Sequence, residues 1–390
     1  MILIMSRGWH LLLVAAFLVL CSASDVRAQD ILRGTIVDDV KCADDATQSY
    51  ALYVPSTYSH DRPWNLLMAF HPGARGRLMV EKYAAAAEQY GYIVAGSNTS
   101  RNGSWSAAAA AVHAMSGDLG RRFAIDAERL YLTGLSGGAR VAMLVALGKN
   151  PIAGVIASSA GYPDSQPRAS VPFAVFATAG TEDFNYIEMR LLDRKLTSPH
   201  ALAIFSGGHT LPPDAVALEA IEWMELQAMK SGRRTRDDAL VDRLFEKRQR
   251  KIAASTNAAD TVHLLDALVS DFKGLRDVSA DSARARDLSK QPEVKKALAR
   301  ERADDDSEAR MLGDIFDLEA SLSDESRHDV ALMRLRDRLS KWAHTASAVE
   351  ESPERSQARR VLRAITTGAA ERVQDPGYRT LLEQYRLPGR

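Results

Sequence analysis

"LYLTGLSGGARVAM", Leu130 to Met143, decides the reading of the chain. Alternating apolar residues run into glycines around a single serine, and small helix formers follow at once. A strand that must turn into a helix within so few residues needs glycines where backbones crowd, here Gly134 and Gly138. A Gly-x-Ser-x-Gly corner of this kind holds its serine on a strained turn with the oxygen above the sheet, which makes Ser136 a candidate nucleophile. The competing reading is a glycine-rich turn whose serine caps the helix beginning near Ala139.

The 390 residues suggest two domains, or one large domain with an extension. Fifty Lys and Arg balance fifty Asp and Glu, so no overall electrostatic pull toward nucleic acid or an anionic surface is expected. At the start, Arg7 precedes the apolar run "WHLLLVAAFLVL", too short to span a bilayer comfortably, and "DVRAQD" offers a cleavage position after Ala28. The expectation is a signal peptide over 1–28 and a secreted or periplasmic protein with no membrane span after its removal. An uncleaved anchor is the alternative, and a lipoprotein reading at Cys21 is disfavoured by the bulk of Leu20. Cleavage after Ala28 leaves Cys42 alone, which rules out an intramolecular disulfide.

From 29 to 231 short apolar runs alternate with helical patterns, the signature of a mainly parallel sheet covered by helices. "ILRGTIV", "SYALYVP", "NLLMAF", "YIVAGS", "RLYLTG", "AGVIASS", "PFAVFATAG" and "ALAIFSG" read as strands; "LMVEKYAAAAEQYG", 107–123 and "GARVAMLVALG" read as helices. Beyond Lys230 aromatic residues and prolines thin out, and leucines recur at helical spacing: Leu240 and Leu244, then Leu265 and Leu268, later Leu335, Leu339 and Trp342. Residues 232–390 are therefore expected to form an all-helical extension, a bundle or short array. The run "ERADDDSEAR" reads as a solvated helix surface or linker rather than a metal site, and no metal is expected in the chain.

A serine is a weak nucleophile at neutral pH unless a base takes its proton and an acid orients that base. Asp183 in "FATAGTEDFNY" and His209 in "AIFSGGHTLPP" each follow a predicted strand and come after the serine in the chain. Glu182 and Asp164 are rival acids. Among the histidines, His113 falls on a predicted helix, His200 precedes its strand, and His263, His328 and His344 lie in the helical tail. An oxyanion hole needs two backbone donors. Gly137, directly after the serine, supplies one, and the loop "HPGARG" the other; Pro72 has no N–H, so Gly73 is the first choice and Ala74 the second. His71 is expected to order that loop rather than to move protons.

The segments "HPGARG", "YGYIVAGSNTSRNG", "GLSGGARVA", "AGTEDFNY" and "FSGGH" together resemble the α/β-hydrolase superfamily, in the branch of polyhydroxybutyrate depolymerases, feruloyl esterases and dienelactone-hydrolase-like esterases. The resemblance covers a little more than the first half of the mature chain. It implies an α/β-hydrolase fold, a Ser136, Asp183 and His209 triad, and hydrolysis of carboxylic esters without a cofactor. Two departures stand out: proline follows the loop histidine where glycine is usual, and the cysteine pairs of many secreted depolymerases are missing. The helical tail carries no such resemblance.

The substrate is then a small or polymeric ester. Trp105, Tyr162, Phe184 and Tyr186 are candidates for an aromatic pocket, each with core packing as the alternative, and His71 is counted with them as a pocket residue. Arg101, Asn98 and Asn102 offer polar contacts to a polar or acidic substrate group, or simply build a turn. A serine peptidase of prolyl-oligopeptidase type, or a scaffold protein carrying a vestigial hydrolase, remain alternatives. For the tail the open roles are a cover over the active-site mouth, self-association, and binding to a cell-envelope partner.

Overall fold

Seven of the eight expected strands form where their apolar runs lie, and one moves. The computed structural model describes residues 32–149, 151–164, 166 and 168–387, with the side chains of 369–372 outside the description. The expected leader segment, its expected cleavage position and Cys21 lie outside the described residues.

The strands are β1 (Ile36–Lys41), β2 (Ser49–Tyr53), β3 (Trp64–Phe70), β4 (Tyr92–Ser97), β5 (Ile125–Leu135), β6 (Ile152–Ser158), β7 (Ala174–Gly180) and β8 (His200–Phe205). They form one sheet in the order β1-β2-β4-β3-β5-β6-β7-β8. β1, β2 and β4 pair antiparallel, and every neighbour pair from β4 through β8 is parallel. The displaced strand is β1: the expected "ILRGTIV" gives way to "IVDDVK", because Gly34 at φ 68° turns the chain just before it. As an edge strand β1 carries charged residues and an irregular register between Val37 and Val40.

Five helices cover the sheet: α1 (Gly76–Tyr90), α2 (Trp105–Arg122), α3 (Gly137–Ala146), α4 (Tyr186–Lys195) and α5 (Asp214–Lys230). Side-chain alternation divides the core in two. Leu66, Met68 and Phe70 of β3 point toward α2, α3 and α4, whereas Leu67 and Ala69 point toward α1 and α5. With both faces covered, the central strands are buried throughout and largely apolar, as expected of parallel strands. Cys42 is unpaired and buried; burial, with Asp118 nearby, pushes its thiol up to about 11 and leaves it unreactive at neutral pH.

The expected helical extension is present as α6 (Asp238–Ala253), α7 (Ala258–Phe272), α8 (Ser279–Lys290), α9 (Pro292–Ser321), α10 (His328–Ala346), α11 (Pro353–Arg372) and α12 (Pro376–Gln384). Asp237 and Asn257 cap α6 and α7 by accepting from backbone amides, and Pro292 opens α9. Helices α6 to α8 share a core with Leu226 and Met229 of α5, while α9 to α12 enclose a second core around Leu335, Leu339, Trp342 and Leu362. As a result α5 is buried on every side from Ala220 to Met229, pressed between sheet and extension. The charge run 301–310 is helical, as expected, but it is neither a linker nor fully solvated. Asp305 and Glu308 are buried because they pair with Arg190 and Arg360. Among the described residues no helix is long and apolar enough to cross a membrane.

Candidate active site

β5 ends at Leu135, and Ser136 takes φ 53° and ψ −122° before α3 begins. A non-glycine residue held there stores roughly 1–3 kcal/mol of strain. Two backbone hydrogen bonds maintain it: the Ser136 amide donates to Ser158 O at 2.8 Å, and Arg140 N donates to Ser136 O at 3.1 Å. Gly138 permits the tight corner, since a Cβ there would run into the Phe70 carbonyl. The Ser136 side chain makes no capping bond to α3, so the helix-cap reading does not describe it.

The loop after β7 lies against the loop after β8. Thr181 N donates to Phe205 O at 2.9 Å and Glu182 N to Gly207 O at 2.8 Å. This brings Asp183 to His209: Oδ1 and Nδ1 are 2.8 Å apart, and Asn185 N also donates to Oδ1 at 2.8 Å. Asp183 is fully buried, and its Oδ2 has no hydrogen-bond partner. An ionised carboxylate only accepts, so the proton of neutral His209 sits on Nδ1 and leaves Nε2 able to accept another. The Phe184 ring stacks on the imidazole with centroids 3.8 Å apart and planes 21° from parallel. Ser136 Oγ forms no hydrogen bond to His209 among the described residues.

The rival acids face elsewhere. Glu182 pairs with Arg363 of α11 at 3.0 Å, and both carboxylate oxygens of Asp164 are held by Arg168 at 2.8 Å. His113 is exposed on α2, and His200 Nδ1 lies 2.7 Å from Ser198 O at the far end of its strand.

The loop after β3 is organised by His71, which is buried. Gly73 N donates to its Nδ1 at 2.9 Å, while Arg75 presents Nε at 3.2 Å and Nη2 at 2.9 Å to its Nε2. Burial, assisted by the Arg75 charge, pushes the imidazole down to about 4, so it is neutral at pH 7. A neutral imidazole has one proton to place and donors face both its nitrogens; one contact is therefore frustrated whichever tautomer forms. Both expected oxyanion amides are committed in this loop, Gly73 N to the His71 ring and Ala74 N to His71 O at 3.0 Å with Ala74 at φ 56°. The Gly137 amide donates to no group among the described residues. Asn102, tied to the loop by its amide to Pro72 O at 2.9 Å, sets its side-chain oxygen against Gly137 where any larger residue would clash.

Of the expected pocket aromatics, only Phe184 reaches the histidine. Tyr186 opens α4 and lies under Arg360 of α11, 4.3 Å from guanidinium to ring centre. Tyr162 is half-buried beneath Arg168, and Trp105 and Arg101 are exposed beside the loops. One arrangement has no short-range sequence signal. Arg140 of α3 forks onto Glu188 of α4 at 2.9 and 2.7 Å, and Glu188 also accepts from Gly161 N at 2.8 Å, bracing the serine's helix against the acid's. Only the finished fold brings those segments together.

No protein-family model matches the chain, and no curated relative does. Among solved structures it is similar to a thermostable esterase (20% identity, 48% of this chain and 61% of that one, TM-score 0.37). It is also similar to esterase B of Lactobacillus rhamnosis, studied with a tributyrin phosphonate (15%, 51% and 87%, TM-score 0.41). A third is dipeptidyl peptidase 4 of Porphyromonas gingivalis (16%, 48% and 34%, TM-score 0.37). The chain thus spans less than two thirds of the thermostable esterase and about a third of the peptidase. These neighbours are esterases and peptidases. The sheet order, with its antiparallel second strand and the strained serine corner after the fifth, gives this chain the α/β-hydrolase fold.

Proposed function

We propose that the chain is a serine hydrolase of carboxylic esters that works through an acyl-enzyme. The observation that carries this reading is the buried Asp183 carboxylate 2.8 Å from His209 Nδ1, on strand ends downstream of the strained Ser136. His209 Nε2 takes the Ser136 proton as the hydroxyl oxygen attacks the ester carbonyl, and Asp183 stabilises the imidazolium that results. Collapse of the tetrahedral intermediate expels the alcohol, which receives the proton from His209. Water, deprotonated by the same imidazole, then releases the acid and restores Ser136. The Gly137 amide, at the positive end of α3, supplies one oxyanion donor; Gly73 supplies the second once its amide leaves His71. The leader over 1–28 supports an exported enzyme.

Ser136→Ala tests this. Turnover of p-nitrophenyl acetate is expected to fall by roughly three to six orders of magnitude, and labelling by a fluorophosphonate is expected to disappear. Retained turnover in the folded variant would reject the assignment. Aminoacyl anilides run beside the esters report amide cleavage directly: anilide turnover exceeding ester turnover would replace the esterase reading with a peptidase.

A further inference from the structure

The extension reaches the loop that carries the acid. The carbonyls of Thr181 and Glu182, just before Asp183, accept from no group of the sheet or its five covering helices among the described residues. Two arginines of α11 take them up. Arg360 Nη1 donates to Thr181 O at 2.9 Å, and Arg363 Nη1 donates to Glu182 O at 3.3 Å and to Glu182 Oε2 at 3.0 Å. Arg360 is itself aimed by the buried Glu308 of α9, with Nε 2.9 Å from Oε1 and Nη2 2.5 Å from Oε2. Its guanidinium also covers Tyr186, three residues past the acid.

From these contacts we infer that Arg360 and Arg363 are positioning residues of the active centre, and that the extension fixes where the Asp183 carboxylate stands. The inference rests on the triad reading given above. Asp183 has a single restrained oxygen: Oδ1 is held by His209 and Asn185, and Oδ2 by nothing. Its direction is therefore set by the backbone of 181–185. That backbone is pinned on one side by the loop after β8 and on the other by α11. Releasing one side lets the acid drift from the imidazole, and a displacement near 1 Å at a reacting group costs about a hundredfold in rate.

A control separates positioning from simple docking. Arg194 of α4 pairs with Asp306 of α9 at 2.8 Å, across the same seam but away from the acid loop. The full-length chain is compared with Arg360→Ala, Arg363→Ala, Arg363→Lys and Arg194→Ala, reading kcat and KM on p-nitrophenyl acetate and the melting temperature of each. Arg360→Ala and Arg363→Ala are expected to lower kcat about ten- to a hundredfold with KM within about twofold. Arg363→Lys, which keeps the charge opposite Glu182, is expected to recover part of the loss, and Arg194→Ala to leave kcat within about twofold. Wild-type kcat in the alanine variants overturns the inference, as does an equal fall in Arg194→Ala. If an alanine variant does not fold, Arg363→Lys against Arg194→Ala decides: a lysine variant no slower than the control overturns it. An inert wild type, or activity that survives Ser136→Ala, is instead a failure of the triad reading.

Discussion

Exchanging Asp183 for asparagine removes one negative charge and almost no volume, so it isolates what the carboxylate does. An asparagine oxygen at the position of Oδ1 can still accept from His209 Nδ1 and Asn185 N, which preserves the tautomer and the loop. What is lost is the attraction between the carboxylate and the imidazolium of the transition state. Asp183 is fully buried and its free oxygen has no other donor, so little else screens that charge. At an effective dielectric of about 20 and a charge separation of about 4 Å the attraction is worth about 4 kcal/mol, which is about a thousandfold in kcat. The assay is kcat/KM for p-nitrophenyl acetate on purified Asp183→Asn, with circular dichroism and a thermal melt to establish the fold. A fall smaller than about tenfold in a folded variant would show that Asp183 does not stabilise the charged histidine, and the mechanism would have to be redrawn around another acid.

Gly138→Ala drives a methyl group into the Phe70 carbonyl and is expected to cost at least about 1–3 kcal/mol, seen in urea denaturation, together with most of the activity because the serine corner must open. The buried Asp271 carboxyl is pushed up to about 6 by desolvation, against the opposing pull of Arg248 and the Trp223 N–H. Its folded value lies above its unfolded one, so folding favours the protonated form, and stability falls as pH rises from about 4 to 6. Asp271→Asn should therefore stabilise the chain by up to about 3 kcal/mol above pH 6 and by nothing near pH 4; a pH-independent gain in melting temperature would contradict this. For His71, pushed down to about 4, the unfolded chain binds the proton more readily, so stability is complete above about pH 6.5 and drains away as pH falls toward 4. His71→Gln should flatten that part of the stability profile, and an unchanged slope in denaturation at graded pH would remove His71 as its cause.

The legible parts of this chain are those written in local pattern. Buried parallel strands must be apolar on both faces, so β3, β6 and β7 stand out as runs, and a glycine-flanked serine after an apolar strand marks its own corner. β1 leaves a fainter trace because an edge strand needs no such run, and its position is set by Gly34 and by pairing with β2. Asp183 and His209 could be picked out because each directly follows a strand, and the structure brings that pair together. Contacts between distant segments leave no such trace. The capture of Gly73 by His71, the Arg140 fork on Glu188, and the burial of Asp305 and Glu308 each depend on a partner that local periodicity does not name. A charge run reads as solvated until the opposing arginines are known.

The burial of α5 from Ala220 to Met229 sets a condition on how the sheet domain is completed during folding. Much of its outer face is covered by later segments: Trp223 donates its indole N–H to Asp271, and Leu226 and Met229 share an apolar cluster with Leu244, Leu265 and Phe272. A folding intermediate in which only the residues up to Lys230 are in place holds every strand of the sheet yet carries an apolar ridge without its cover from α6 and α7, a surface open to chaperones or to a second chain. By the same logic, a protease that nicks the finished protein between Gly232 and Arg236 leaves two fragments that stay clasped together through a shared interior.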